Sequence, residues 1–153
     1  MTPAIIIAEK NKIDFNVHQY KHDKKAASYG LEAAEKLNVD PLQVFKTLVV
    51  EADKQLVVAV LPVTEQLNLK AVAAALKAKK AQMADKNDVL RSSGYVLGGV
   101  SPLGQKKLLT TLIDSTAQCH DTIYVSAGKR GLEIQLAADD LARLLSAKFV
   151  ALT

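Results

Sequence analysis

Residues 45–62 read FKTLVVEADKQLVVAVLP, and the fold turns on how this stretch is read. Phe45 to Glu51 and Gln55 to Pro62 are strand-length runs rich in valine and leucine, separated by Ala52-Asp53-Lys54. That is the pattern of a β-hairpin. One residue in it is out of character. Lys46 opens the more N-terminal strand, between Phe45 and the run Thr47-Leu48-Val49-Val50. An ammonium group turned toward a sheet interior is costly unless it meets an anion or a polar cleft. Two readings of Lys46 stand. Either it snorkels at the strand edge, or it is an electrophile that holds a developing oxyanion or a phosphate.

On the N-terminal side, Thr2-Pro3 reads as a helix start over Ala4 to Lys10, because threonine caps free N–H groups and proline fits the first turn. Phe15 to Tyr20 alternates like a two-faced strand, Ser28 to Gly30 reads as a turn and Leu31 to Leu37 as a helix. Asp40-Pro41 starts a short helical turn. Beyond the hairpin, Asn68 caps a helix over Leu69 to Leu76, and Asp85 caps another over Lys86 to Arg91 that Gly94 closes. Leu108 to Ile113, Thr122 to Val125 and Leu132 to Leu136 read as strands, Ala138 to Ala147 as a helix, and Phe149 to Leu152 as a last strand. Strands fill the centre and helices the flanks. The expected fold is a single α+β domain over residues 1–153, built on a curved, mostly antiparallel mixed sheet or partly open barrel flanked by helices.

The 153 residues carry a net charge of +4, a single cysteine (Cys119) and no apolar run approaching the ~18 residues of a membrane span. This excludes a disulfide scaffold and predicts a cytoplasmic protein with no membrane partner. The mild basic excess suits an acidic partner such as RNA, and equally an ordinary soluble surface. His18, His22 and His120 belong to no zinc motif, Cys119 has no CxxC partner, and no GxSxG elbow, Walker loop or GxGxxG fingerprint is present. No metal or cofactor is expected.

What remains, beside Lys46, is the stretch from Tyr95 to Gly104. Gly98-Gly99-Val100-Ser101-Pro102 leaves main-chain N–H groups bare and lets a ligand approach closely, as in an oxyanion or phosphate nest; a β-bulge or tight turn is the competing reading. Ser126-Ala127-Gly128 is a similar small-residue turn. Tyr20 ends its strand beside a polar stretch; it reads as a half-buried tyrosine or as a ring and hydroxyl that contact a sugar or base. Lys24-Lys25, Lys79-Lys80 and Lys106-Lys107 are solvated faces or parts of an RNA footprint.

Four segments together, Phe45 to Val49, Met83-Ala84-Asp85, Gly94 to Gly104 and Ile123 to Leu132, resemble the bacterial YbaK/ProX aminoacyl-tRNA deacylases over nearly the whole chain. The resemblance implies a free-standing editing domain related to the insertion domain of prolyl-tRNA synthetase, clearing cysteine wrongly attached to tRNA(Pro) and also acting on Cys-tRNA(Cys). Its partners would be the tRNA(Pro) acceptor end with its amino acid, and prolyl-tRNA synthetase. A synthetase rejects a similar-sized side chain by only ~1–3 kcal/mol, which is why a second sieve is needed. By the same resemblance the essential lysine falls on Lys46 and the glycine loop on Gly98 and Gly99, followed by Ser101 and Pro102. Tyr20, Thr47, Asn68, Ser126 and Gly128 fall at pocket positions. The family's Ser-Gly-Gly turn is here Ser126-Ala127-Gly128. A deacylase for another amino acid such as alanine, and a non-catalytic module binding tRNA or a synthetase, remain as alternatives.

Overall fold

The computed structural model describes residues 1–26 and 28–153. Helix α1 (Pro3–Lys10) starts where Thr2-Pro3 predicts, with the Thr2 hydroxyl oxygen accepting the Ile5 N–H. After β1 (Phe15–Gln19), helix α2 (Tyr29–Lys36) begins two residues earlier than its sequence pattern suggests. Ser28 is its cap rather than part of a turn, accepting the Leu31 N–H at 3.3 Å. A turn of 3₁₀ helix at Pro41–Gln43, capped by Asp40, delivers the chain into the hairpin. Its strands are β2 (Phe45–Ala52) and β3 (Gln55–Pro62), in antiparallel register from Phe45↔Pro62 to Ala52↔Gln55.

Helix α3 (Leu69–Ala75) follows, with Asn68 as its cap. The short strand β4 (Ala81–Met83) is three residues long, too short for its alternation to be legible in the sequence; pairing with Val50–Ala52 defines it. Helix α4 (Lys86–Ser93) closes on Gly94 in the left-handed conformation. Strand β5 is Thr110–Asp114, shifted from the expected 108–113, and Leu108 stays 76% exposed. Asp114 caps a 3₁₀ turn over Ser115–Cys119, and His120 ends it. Strands β6 (Ile123–Lys129) and β7 (Leu132–Leu136), helix α5 (Ala138–Leu145) and strand β8 (Lys148–Val150) complete the chain.

The expected α+β architecture is present, with the strands divided between two sheets. One is antiparallel, in the order β1-β7-β6; the other is mixed, in the order β4-β2-β3-β5-β8, with β3, β5 and β8 parallel. Among the described residues they meet at a single bridge, between Val44 and Tyr124, and no barrel closes. Strand β3 is buried on both faces, which explains its unbroken apolar run. Val58 and Val60 face the main core with Ile123, Val125, Ile134 and Leu141; Val57 and Ala59 face a second cluster with Val72 and Leu152. Among the described residues, no helix is long and apolar enough to cross a membrane.

Candidate active site

The junction of the two sheets leaves one edge uncovered. Strand β4 pairs with Val50–Ala52, and among the described residues no strand pairs with the first half of β2 on that side. A cavity of about 390 Å³ opens there. Phe45, Lys46, Thr47 and Leu48 form one wall and Leu97, Gly98 and Val100 another; Ser126 and Glu133 come from the three-stranded sheet, and Tyr20, Ser28, Tyr29 and Gly30 from either side of the β1–α2 connection.

Several polar groups of this cavity lack partners among the described residues. Lys46 is half-buried, and among the described residues no carboxylate or hydrogen-bond acceptor contacts its ammonium. Burial pulls its pKa below the ordinary lysine value, opposed by the charge of Glu65. Thr47 Oγ1 is the one fully buried side-chain polar atom without a hydrogen bond among the described residues. Glu133 is only 7% exposed, has no hydrogen-bond partner among the described residues and reaches the cavity. Burial pushes its pKa up to about 8. Tyr20 is raised to about 12, first by burial and then by Glu133 and Glu32, so its hydroxyl stays protonated. Buried polar groups in folded proteins are normally satisfied, so a cluster of orphans around one hollow marks a place built for a ligand.

The glycine loop is held in place from behind. Gly98 sits at φ +87, and a Cβ there would lie 2.5 Å from Arg130 Nε and 2.9 Å from the Tyr29 ring. Arg130 donates two hydrogen bonds to the Leu97 carbonyl, at 3.1 and 2.8 Å, and its guanidinium lies 4.5 Å from the Tyr29 ring centroid. Three segments around the mouth are thereby tied together. Among the described residues, the N–H groups of Gly98 and Val100 meet no acceptor, and both residues line the cavity.

Five of the residues singled out from sequence therefore come together: Lys46, Gly98, Tyr20, Thr47 and Ser126. The other five lie outside the cavity wall. The Gly99 N–H is already donated to Val96 at 3.0 Å, and a Cβ on it would press on the Lys129 backbone at 2.8 Å. Gly99 thus lets the loop seat on the β6–β7 turn and offers no free donor. Ser101 is wholly buried; its hydroxyl oxygen accepts the Leu103 N–H at 3.2 Å, and Pro102 is buried beside it. Both belong to the turn behind the loop, which Tyr95 braces by donating its hydroxyl to the Leu103 carbonyl. Asn68 caps α3, accepting from Ala71 at 3.1 Å, and its own N–H bonds Leu152. Gly128 faces Tyr95 and Thr2, and its N–H is donated to the Ser126 hydroxyl. Ala127, where the family has glycine, is wholly buried in the main core, so that departure falls on the packed side of the strand.

The sequence reading missed Glu133, Tyr29 and the bracing role of Arg130. Glu133 alternates with Leu132 and Ile134, which assigns it to the opposite face of β7. Nothing local shows that α2 and the start of β2 cover that face.

Comparison with known proteins follows the same lines. Residues 24–144 match the family model described as an aminoacyl-tRNA editing domain. An Enterococcus faecalis protein named "Putative Cys-tRNA(Pro)/Cys-tRNA(Cys) deacylase EbsC" is 35% identical over 153 residues, spanning 99% of this chain and 93% of that one. A solved structure described as a "putative trans-editing enzyme for prolyl tRNA synthetase" superposes with a TM-score of 0.85 at 17% identity, covering 100% of this chain and 98% of that one. A scaffold used for computational grafting of linear epitopes superposes at 0.87 with 19% identity, covering 99% and 94%. The two structures establish the fold alone.

Proposed function

Because the chain belongs to the aminoacyl-tRNA editing family, we propose that it is a free-standing deacylase. It removes cysteine from Cys-tRNA(Pro) and Cys-tRNA(Cys), in the cytoplasm and beside prolyl-tRNA synthetase. The observation that carries this reading is the unpartnered Lys46 on a cavity also lined by Gly98 and Val100, two residues whose N–H groups meet no acceptor among the described residues. An aminoacyl ester is already activated. What it needs is a dry site with fixed donors where charge develops on the carbonyl oxygen.

In this reading the ester carbonyl lies against the glycine loop, and Lys46 supplies positive charge to the developing oxyanion or the adjoining ribose. Tyr20 and Ser126 offer hydroxyls to the ribose and amino acid. The cavity is larger than a cysteinyl group, so it takes in part of the terminal ribose and does not select by tight fit. Selection then falls to side-chain chemistry. The substrate's thiol sulfur attacks its own carbonyl carbon, a C–S bond forms, the bond to the ribose oxygen breaks, and the thiol proton passes to that oxygen. The products are a cyclic thiolactone and free tRNA. Glu133, neutral below about pH 8, is a hydrogen-bond donor at the cavity wall under these conditions.

The test is deacylation of tRNA(Pro) carrying cysteine, alanine, serine or proline. Cysteine is released as thiolactone, and serine at least ~100-fold more slowly, since a hydroxyl is the poorer nucleophile. Serine release at the cysteine rate would replace thiol attack by water. Preferred release of alanine would change the substrate, and release of nothing would leave a binding module.

A further inference from the structure

The protein has three lysine clusters, and only one adjoins the reaction cavity. We infer that the lysine-lined hollow between β1 and α2 seats backbone phosphates of the RNA acceptor arm whose acylated end enters that cavity; this rests on the deacylase reading above. The hollow measures about 490 Å³ and is lined by Lys21, His22, Asp23, Lys24, Lys25 and Lys36.

Position is the first argument. Tyr20 lines the cavity and Lys21, the next residue, lines the hollow. The His22 ring lies 5.6 Å from the ring of Tyr29, another cavity residue, and Lys36 Nζ lies 6.0 Å from the Tyr20 ring centroid. The two concavities share a wall. A nucleic acid whose 3′ end is buried in one must lead its phosphates out past the rim. The cluster at Lys77, Lys79 and Lys80 is badly placed for this. The Lys79 and Lys80 N–H groups bind Asp53 at the tip of the hairpin, about 23 Å along β2 from Lys46. Lys106 and Lys107 are tied through their N–H groups to Ser93 and Ser92 at the end of α4, and neither lines either hollow.

Charge is the second argument. Four ammonium groups face two carboxylates, and the carboxylates are occupied. Glu32 is buried and turned inward, accepting from the Asp23 N–H and His22 Nδ1 at 2.7 Å each, and pairing with Lys36 at 3.2 Å. Asp23 accepts the Lys25 N–H at 2.9 Å. Lys36 is spent on bracing, since it also donates to the Lys21 carbonyl. The exposed ammoniums of Lys21, Lys24 and Lys25 are left without an ion-pair partner among the described residues. Three point charges beside a deep site suit a phosphate track, which needs position and charge but no base reading.

The experiment compares two substrates in the full-length protein. One is intact Cys-tRNA(Pro); the other is cysteine esterified to a terminal adenosine, which has no stem phosphates. Lys21→Gln/Lys24→Gln/Lys25→Gln should raise KM on the tRNA at least tenfold at 50 mM salt and lower the log–log salt slope by about two. The adenosine ester should be cleaved as before, and Lys79→Gln/Lys80→Gln should change neither substrate. Equal losses on both substrates, or no loss on tRNA, would overturn this assignment while leaving the deacylase intact. A loss seen only when prolyl-tRNA synthetase is present would overturn it in favour of a protein-docking face. Cleavage of neither substrate by the unaltered protein would remove the proposed function, and this inference with it.

Discussion

The two ends of strand β2 hold polar residues of similar kinds under opposite conditions. At the hairpin tip, Asp53 binds the N–H groups of Lys79 and Lys80 through its carboxylate, and its own N–H bonds the Lys80 carbonyl. At the other end, Lys46 and Glu133 line one hollow with no partners among the described residues, and Thr47 Oγ1 lies unpaired beneath its wall. A polar group fully paired inside the protein stabilises the fold; one left unpaired costs free energy that only a ligand can recover. The comparison separates residues that hold the molecule together from residues that wait for substrate.

Lys46→Ala gives the largest expected effect. It should lower kcat/KM for Cys-tRNA(Pro) at least ~100-fold, the scale of losing one fixed transition-state charge. Thermal stability should hold or rise, because no internal ion pair is lost. Asp53→Ala should do the reverse, costing on the order of 2 kcal/mol as its hydrogen bonds go, with kcat/KM unchanged at temperatures where the variant is folded. Paired melting curves and deacylation rates check both. Retained activity in Lys46→Ala would break the comparison at its strongest point.

Gly98→Ala comes next. The added methyl would run into Arg130 and Tyr29 in a backbone conformation that disfavours side chains, at a cost of ~1–2 kcal/mol. The loop must shift, so kcat should fall ~10- to 100-fold with a modest drop in melting temperature. Thr47→Val sharpens the contrast further. It removes the orphan hydroxyl at nearly constant shape, so stability should rise by up to ~1 kcal/mol, while deacylation stays within a few-fold because the buried hydroxyl does not reach the cavity. A destabilised Thr47→Val would mean that the hydroxyl has an internal role after all.

How much of this was legible from residues alone follows the same division. The hairpin, the caps at Thr2, Asn68 and Asp85 and the left-handed Gly94 are local, and local patterns reported them. Lys46 was visible as a violation, a charge opening an apolar strand. The sequence could not show which N–H groups of the glycine loop are spent. Gly99 and Ser101 look as available as Gly98, until folding sets one against Val96 and buries the other. Glu133 was invisible for a related reason. Its strand alternates like one with a solvated face, and only the long-range approach of α2 and β2 turns that face into a cavity wall.

Glu133 also supplies the expected change that is smallest in rate and most specific in form. Its carboxyl titrates near 8 in the folded protein because burial disfavours the charged form. The folded state therefore keeps a proton that the unfolded chain has released from about pH 4.5 upward. The contribution of Glu133 to stability should be greatest below that value, fall by up to about 1.4 kcal/mol per pH unit through the window, and level off above 8. Glu133→Gln keeps the shape and a donor but cannot ionise. Deacylation by this variant at pH 7 should stay within a few-fold of the unaltered protein. Its stability advantage should widen between pH 5 and 8 and then hold constant. Denaturant melts of both proteins at half-unit steps of pH measure that difference directly. A constant gap across the range would show that the carboxylate finds a partner on this wall and that the cavity is not the dry site the chemistry requires.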